Sequence, residues 1–267
     1  MKKVSCLLLM TALLCIACEF KLSPNGAGEH YGRIEVQRFD RLQSRYLTTG
    51  DFSAMQEMNI LYPMQSRTLI EKVLQIGVMS DQDIATRFLR FYQDSTLQQL
   101  LLDVTSEYAK MDDINAQLQQ GFGKLRKWFP DLPIPVIYAQ IGSFDQSIIV
   151  GDKMIGICLD KYMGSNYSLY EKFYSYAQRQ SMTRSYIVPD CLTFYLLSLY
   201  PLDQFDSRTQ LERDIHMGKV MWTVNKVIGQ NLYNTPYVKM VDRFMKKHSK
   251  VTVPFLMMNN DIQGLGR

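Results

Sequence analysis

The pair Ala17-Cys18 closes a stretch that begins Met1-Lys2-Lys3 and runs on as an apolar segment from Val4 to Leu14, then Cys15-Ile16. Two lysines before a short apolar run form a secretory signal. The run is about half the ~20 residues that a spanning helix needs. A small residue directly before a cysteine is what bacterial lipoprotein peptidase accepts. The chemistry expected at Cys18 is therefore cleavage and acylation, leaving a body anchored to an envelope membrane through an N-terminal lipid. Cys15 stands where leucine is usual, so the competing reading is a plain signal peptide with Cys18 an ordinary thiol.

Other residue types that do chemistry are sparse. His30, His216 and His248 are never four apart, and the chain has no HExxH, no Cys-x-x-Cys and no acidic calcium loop. No metal and no cofactor is expected from such a set. His216 reads as a surface or packed helix residue. There is no Gly-x-Ser-x-Gly, and Cys191 as a nucleophile would need a histidine held nearby, in a setting whose apolar character raises the thiol pKa. Gly121-Phe122-Gly123 lies in a helical pattern and lacks the lysine and hydroxyl of a phosphate loop. Two carboxylates remain as cleft candidates, Asp160 and Asp190, each at the end of an expected element. There a carboxylate caps a helix or does acid–base work, and capping is the expected role. No catalytic residue is assigned.

The elements that would position them follow from periodicity. Glu19 to Gly32, with Pro24, Asn25, Gly26 and Gly28, reads as a tether. Leu97, Leu100, Leu101, Val104 and Tyr108 repeat at helical spacing, as do Met111, Ile114, Leu118, Phe122, Leu125 and Phe129, and Pro130 ends the second run. Val136 to Ile141 reads as a strand. Ser147 to Val150 and Met154 to Leu159, around Gly151-Asp152-Lys153, read as a hairpin. A tyrosine-rich helix is expected from Leu169 to about Gln180. Ile187 to Tyr200 is apolar on nearly every side and is expected to be the most buried helix, with Pro189 and Asp190 in its first turn. Helices near 206–229 and 236–248 complete an α+β, mainly helical domain with one small sheet of three to four strands. The divisions expected are a signal peptide at 1–17, the lipidated cysteine and tether at 18–32, and a single domain at 33–267.

Hydrophobic residues make up 46% of the chain and charged residues 21%, a balance that supplies a core. Loss of Lys2 and Lys3 lowers Lys+Arg from 30 to 28 against 26 Asp+Glu, so the charge falls from +4 to +2. Nothing there marks a nucleic-acid binder. Lys239, Arg243, Lys246 and Lys247 read as a solvated helix face. Cys158 and Cys191 are permitted to pair in an oxidising compartment, but a strand and an apolar helix suit them better as small hydrophobes. The 16 tyrosines read as core and interface rings more than as a sugar-binding surface.

Two stretches resemble the gliding-motility lipoprotein GldB family of Bacteroidetes. One is Ile34-Glu35-Val36-Gln37-Arg38-Phe39-Asp40, followed by Leu61-Tyr62-Pro63. The other is Gly156-Ile157-Cys158-Leu159-Asp160-Lys161-Tyr162-Met163-Gly164, continued by Tyr170 and Tyr186-Ile187-Val188-Pro189-Asp190. Gly218-Lys219-Val220-Met221 resembles a further family stretch, so the similarity covers roughly residues 34–230. It implies an envelope lipoprotein linked with gliding motility or secretion machinery and acting through a partner protein. With only Glu19 after the cysteine, followed by Phe20 and Lys21, the implied place is the outer membrane facing the periplasm. The family is distantly similar to predicted zinc proteases with a zincin-like body, in which a small sheet precedes a buried helix carrying HExxH. Here that helix is 187–200 and holds no histidine. The alternative reading is thus a hydrolase, or a substrate-binding pseudoprotease, with a degenerate zincin-like cleft. The resemblance also leads one to expect a closing segment after Gly264-Leu265-Gly266-Arg267.

Overall fold

The computed structural model describes residues 32–260, so Cys18, nearly all of the tether and the last residues lie outside the described part. Helix α1 (Phe39–Thr49) stops at Gly50, whose left-handed backbone lets its N–H return to the Tyr46 carbonyl. Asp51 then caps α2 (Phe52–Leu61), which leads into α3 (Pro63–Arg67) and a π-helical turn, Thr68–Val73. Helix α4 (Ile84–Phe91) is followed by α5 (Ser95–Glu107), capped by Asp94 through the N–H groups of Thr96 and Leu97. Helix α6 (Asp112–Trp128) carries Asp112 and Asp113 in its first turn and Arg126 and Lys127 in its last, matching the helix dipole at both ends. Its stripe of Ile114, Leu118, Phe122 and Leu125 is buried, as the periodicity requires.

The sheet has three strands, β1 (Val136–Gln140), β2 (Ile148–Gly151) and β3 (Met154–Cys158), in the order β1-β3-β2. β1 runs parallel to β3, and β2 pairs antiparallel with β3 through the tight turn at Asp152-Lys153. On the outer side of β1, Gln37 makes a parallel bridge to Tyr138, donating to Ile137 and accepting from Ala139. The stretch Ile34–Asp40 is thus a one-residue beginning of a fourth strand. Gly156 leaves room for Tyr138: a Cβ there would come within 2.6 Å of its ring.

The expected helix from Leu169 to Gln180 is in fact two short pieces, α7 (Tyr170–Phe173) and α8 (Tyr176–Arg179). Tyr174 between them is extended and sends its hydroxyl to the Phe144 carbonyl, while Ser175 and Gln178 form a capping box that restarts the helix. Helix α9 (Ile187–Leu199) packs on α6 so closely that a Cβ on Gly121 would meet Leu192 at 3.0 Å. It is not buried on all sides. Ile187, Val188, Cys191, Leu192, Tyr195 and Leu196 are covered, whereas Phe194 is 39% exposed and Leu197 is half-buried. Helix α10 (Gln210–Ile228) opens with a Thr209/Glu212 capping box, α11 (Pro236–Lys247) is capped by Thr235, and α12 (Val253–Met258) by Thr252. Among the described residues, no helix is long and apolar enough to cross a membrane.

Candidate functional site

Asp160 follows β3 in a single 3-10 turn, Leu159–Lys161, and is fully buried. It does not cap that turn. Its carboxylate accepts the N–H of Gly142 at 2.6 Å and of Phe144 at 2.8 Å, both in the loop between β1 and β2. Burial pushes its pKa up, against the pull of those N–H groups. Phe144 has a left-handed backbone, with φ 70°, which a residue with a bulky side chain adopts only when its surroundings compel it. The surroundings are a clamp. Asp160 holds the N–H, while Lys161 Nζ and the Tyr174 hydroxyl both donate to the carbonyl. Lys161 also bonds the Tyr174 hydroxyl at 3.0 Å and sits over that ring at 4.3 Å from its centroid.

Asp190 lies in the first turns of α9, but it too is no cap; the position before the helix is Tyr186 and makes no side-chain cap. Its two oxygens accept hydroxyls from distant elements, Tyr233 at 2.7 Å and Tyr162 at 2.8 Å. Burial raises its pKa to about 6, opposed by the two hydroxyls. The expected capping role therefore fails for both carboxylates, because each is aimed at another element instead of its own helix. Asp190 lines a cavity of about 230 Å³ with Ser147, Lys161, Tyr162, Tyr174, Gln178, Ser181 and Met182. Asp160 does not line this cavity, but its bonds to Gly142 and Phe144 shape the loop that leads to Ser147. Lys161, Tyr162 and Tyr174 are parts of the site that the sequence did not mark as functional. The signal for the first two was the spacing Asp160-Lys161-Tyr162 within the family-like stretch. That spacing now has a physical reading: Tyr170 donates to the Asp160 carbonyl at 2.5 Å and Tyr162 reaches Asp190.

Cys158 and Cys191 are free, buried thiols, each with its pKa pushed up by burial first and a neighbouring aspartate second. His216 is a packed histidine, its pKa pushed down to about 4 by burial and by the charge of Lys219. The Tyr200 backbone opposes that shift, yet neither ring nitrogen makes a hydrogen bond of normal geometry. Lys219 is itself buried and donates to the Asn259 carbonyl at 2.7 Å. Among the described residues, no three His, Cys, Asp or Glu side chains converge so as to hold a metal ion.

The described residues thus form a mainly helical body with one small mixed sheet and a polar cleft lined by Ser147 before β2 and Asp190 of α9. The chain matches the family described as gliding motility protein GldB over residues 25–232, most of its length, and belongs to that family. No curated protein and no solved structure matches it.

Proposed function

We propose that the chain is a non-enzymatic, lipid-anchored envelope component of motility or secretion machinery that acts by binding a partner protein. The observation that carries this is the state of Asp190. The cleft carboxylate has each oxygen engaged by a tyrosine hydroxyl that other elements hold in place. A carboxylate so fixed presents its remaining lone pairs as a rigid acceptor, which suits recognition. Family membership supplies the process, and Ala17-Cys18 behind the short apolar run supplies the anchor. No nucleic acid and no metal enters this reading.

The anchor is tested by fatty-acid labelling in cells: Cys18→Ser should lose label and accumulate unprocessed or released protein. Equal labelling of the two forms would remove the lipid from the reading. The partner is tested by purifying the tagged full chain from its own envelope. A protein retained in stoichiometric amount supports the proposal. A purified chain that hydrolyses peptides and loses that activity with Asp190→Asn, at unchanged melting temperature, would replace it with the hydrolase reading. The raised pKa of Asp190 keeps that second reading specific.

A further inference from the structure

The basic residues of α11, which the sequence offers as one solvated face, are divided by the structure. Lys246 turns to Asp242 and bonds one of its oxygens at 2.7 Å. Lys239 and Arg243, one turn apart, instead line a cavity of about 450 Å³ whose walls come from α10, α11 and the loop joining them. Lys247 does not line it. Trp222 and Val238 are buried and make the cavity's floor, whereas Lys239, Arg243, Asn231 and Asn234 are exposed and make its mouth. One wall is pinned. The Asn225 side chain bonds both the N–H and the carbonyl of Tyr233, at 3.0 and 2.7 Å, and the Tyr233 hydroxyl is held by Asp190. A preformed space of this size with an apolar floor and polar rim is the usual form of a small-ligand site.

The charges in the cavity do not cancel. Lys226, Lys239 and Arg243 face a single carboxylate, Asp242. That carboxylate is fully engaged elsewhere. One oxygen accepts from the Trp222 indole N–H at 2.9 Å and from Lys226 at 3.0 Å, and the other from Lys246. These donors, Lys246 foremost, hold Asp242 well below the usual carboxylate range. Among the described residues, the side chains of Lys239 and Arg243 make no hydrogen bond and no ion pair. Like charges four residues apart on a helix repel, and no acid stands between these two. An anion held across both relieves that repulsion, with Arg243 as a two-pronged donor and Lys239 as a point charge.

We propose that this cavity binds a phosphate monoester with a small hydroxylated organic part. A monoester carries about 1.5 to 2 negative charges at pH 7, which matches the two cations without partners. Inorganic phosphate alone would leave most of the space empty, and the amides of Asn231 and Asn234 are placed to bond hydroxyl groups. Such an ester comes either from a soluble sugar phosphate or from the phosphorylated headgroup of a membrane lipid, and both present the same group to Lys239 and Arg243. The site does not depend on the partner-protein reading.

The test uses the full chain in phosphatidylcholine vesicles and an amine-acetylating reagent. Modification of Lys239 is read by mass spectrometry against Lys247, on the same helix but off the cavity. Glucose 6-phosphate in solution, or phosphatidylinositol 4-phosphate in the vesicles, should protect Lys239 and leave Lys247 reactive. Protection by the sugar phosphate assigns a soluble ligand, and protection by the lipid alone assigns a headgroup. Arg243→Gln should weaken the protecting ester at least about tenfold, the loss of one charge-assisted contact. It should keep the melting temperature, because the residue is exposed. Lys247→Gln should change neither. Four results would each overturn the proposal: no protection by either ester; equal protection of Lys247; protection as strong by glucose or by inorganic phosphate; or an Arg243→Gln variant protected like the wild type.

Discussion

The Asp160 carboxylate accepts the N–H of Phe144 at 2.8 Å and thereby fixes a left-handed residue whose own carbonyl is held by Lys161 and Tyr174. Asp160 also accepts from Gly142, so Asp160→Ala would strand two N–H groups beside a fully buried position. Each costs about 1–3 kcal/mol, so the variant should lose about 2–6 kcal/mol. Asp160→Asn keeps an acceptor and should lose less. Thermal melting of both variants checks this, and equal losses would mean that the one acceptor oxygen an asparagine retains contributes nothing.

Asp190 should make the protein more stable in mild acid than at neutrality. Its folded pKa of about 6 lies above the ordinary 3.8. Between those values the folded chain keeps a proton that the unfolded chain releases, so this residue's contribution falls as pH rises through the window. The whole effect is at most about 3 kcal/mol. Asp190→Asn should flatten that slope and melt near the wild-type temperature at pH 7, since an amide can both accept from one tyrosine and donate to the other. Melting curves across the window decide it; parallel slopes in the two proteins would show that Asp190 is ionised throughout.

How much of this was legible depended on which residues did the deciding. The stripe Ile114, Leu118, Phe122 and Leu125 could be read because local period and tertiary burial agree there. The break at Tyr174-Ser175 could not, because it follows from a hydroxyl reaching Phe144, 30 residues away. The site was half legible. Asp190 stood out as a carboxylate at the end of an element. Its partners Tyr162 and Tyr233 lie 28 and 43 residues off, and no spacing rule links them to it. The capping expectation failed for the same reason, since local geometry favours a cap and only the folded chain supplies better donors.

Neighbouring leucines of α9 should respond differently to the same change. Leu196 is fully buried, so Leu196→Asp places a charge with no partner in the core, costs several kcal/mol and should leave little folded protein. The apolar sequence alone predicts the same for Leu197, but that residue is half-buried on the side of exposed Phe194. Leu197→Asp can keep its carboxylate in water and should fold with a loss of about 1 kcal/mol. Yield and circular dichroism separate the two. If both unfold, the outer face of α9 is covered in the folded protein.

Two glycines within helices should move stability in opposite directions when changed to alanine. Gly218 of α10 faces α11, and a Cβ there would stand 2.7 Å from Tyr237 Cβ and 3.0 Å from its carbonyl carbon. The obstacle is partly backbone, so the helices must separate, at a cost of about 1–3 kcal/mol that outweighs the gain in helix propensity. Gly123 of α6 has nothing within 4 Å of the same position. There the alanine removes backbone freedom from the unfolded chain and should stabilise by about 0.5–1 kcal/mol. Denaturant midpoints of Gly218→Ala and Gly123→Ala measure the pair. Stabilisation by both would mean that α10 and α11 lie farther apart than 2.7 Å contacts imply, and the close approach that accounts for glycine in Gly218-Lys219-Val220-Met221 would be lost.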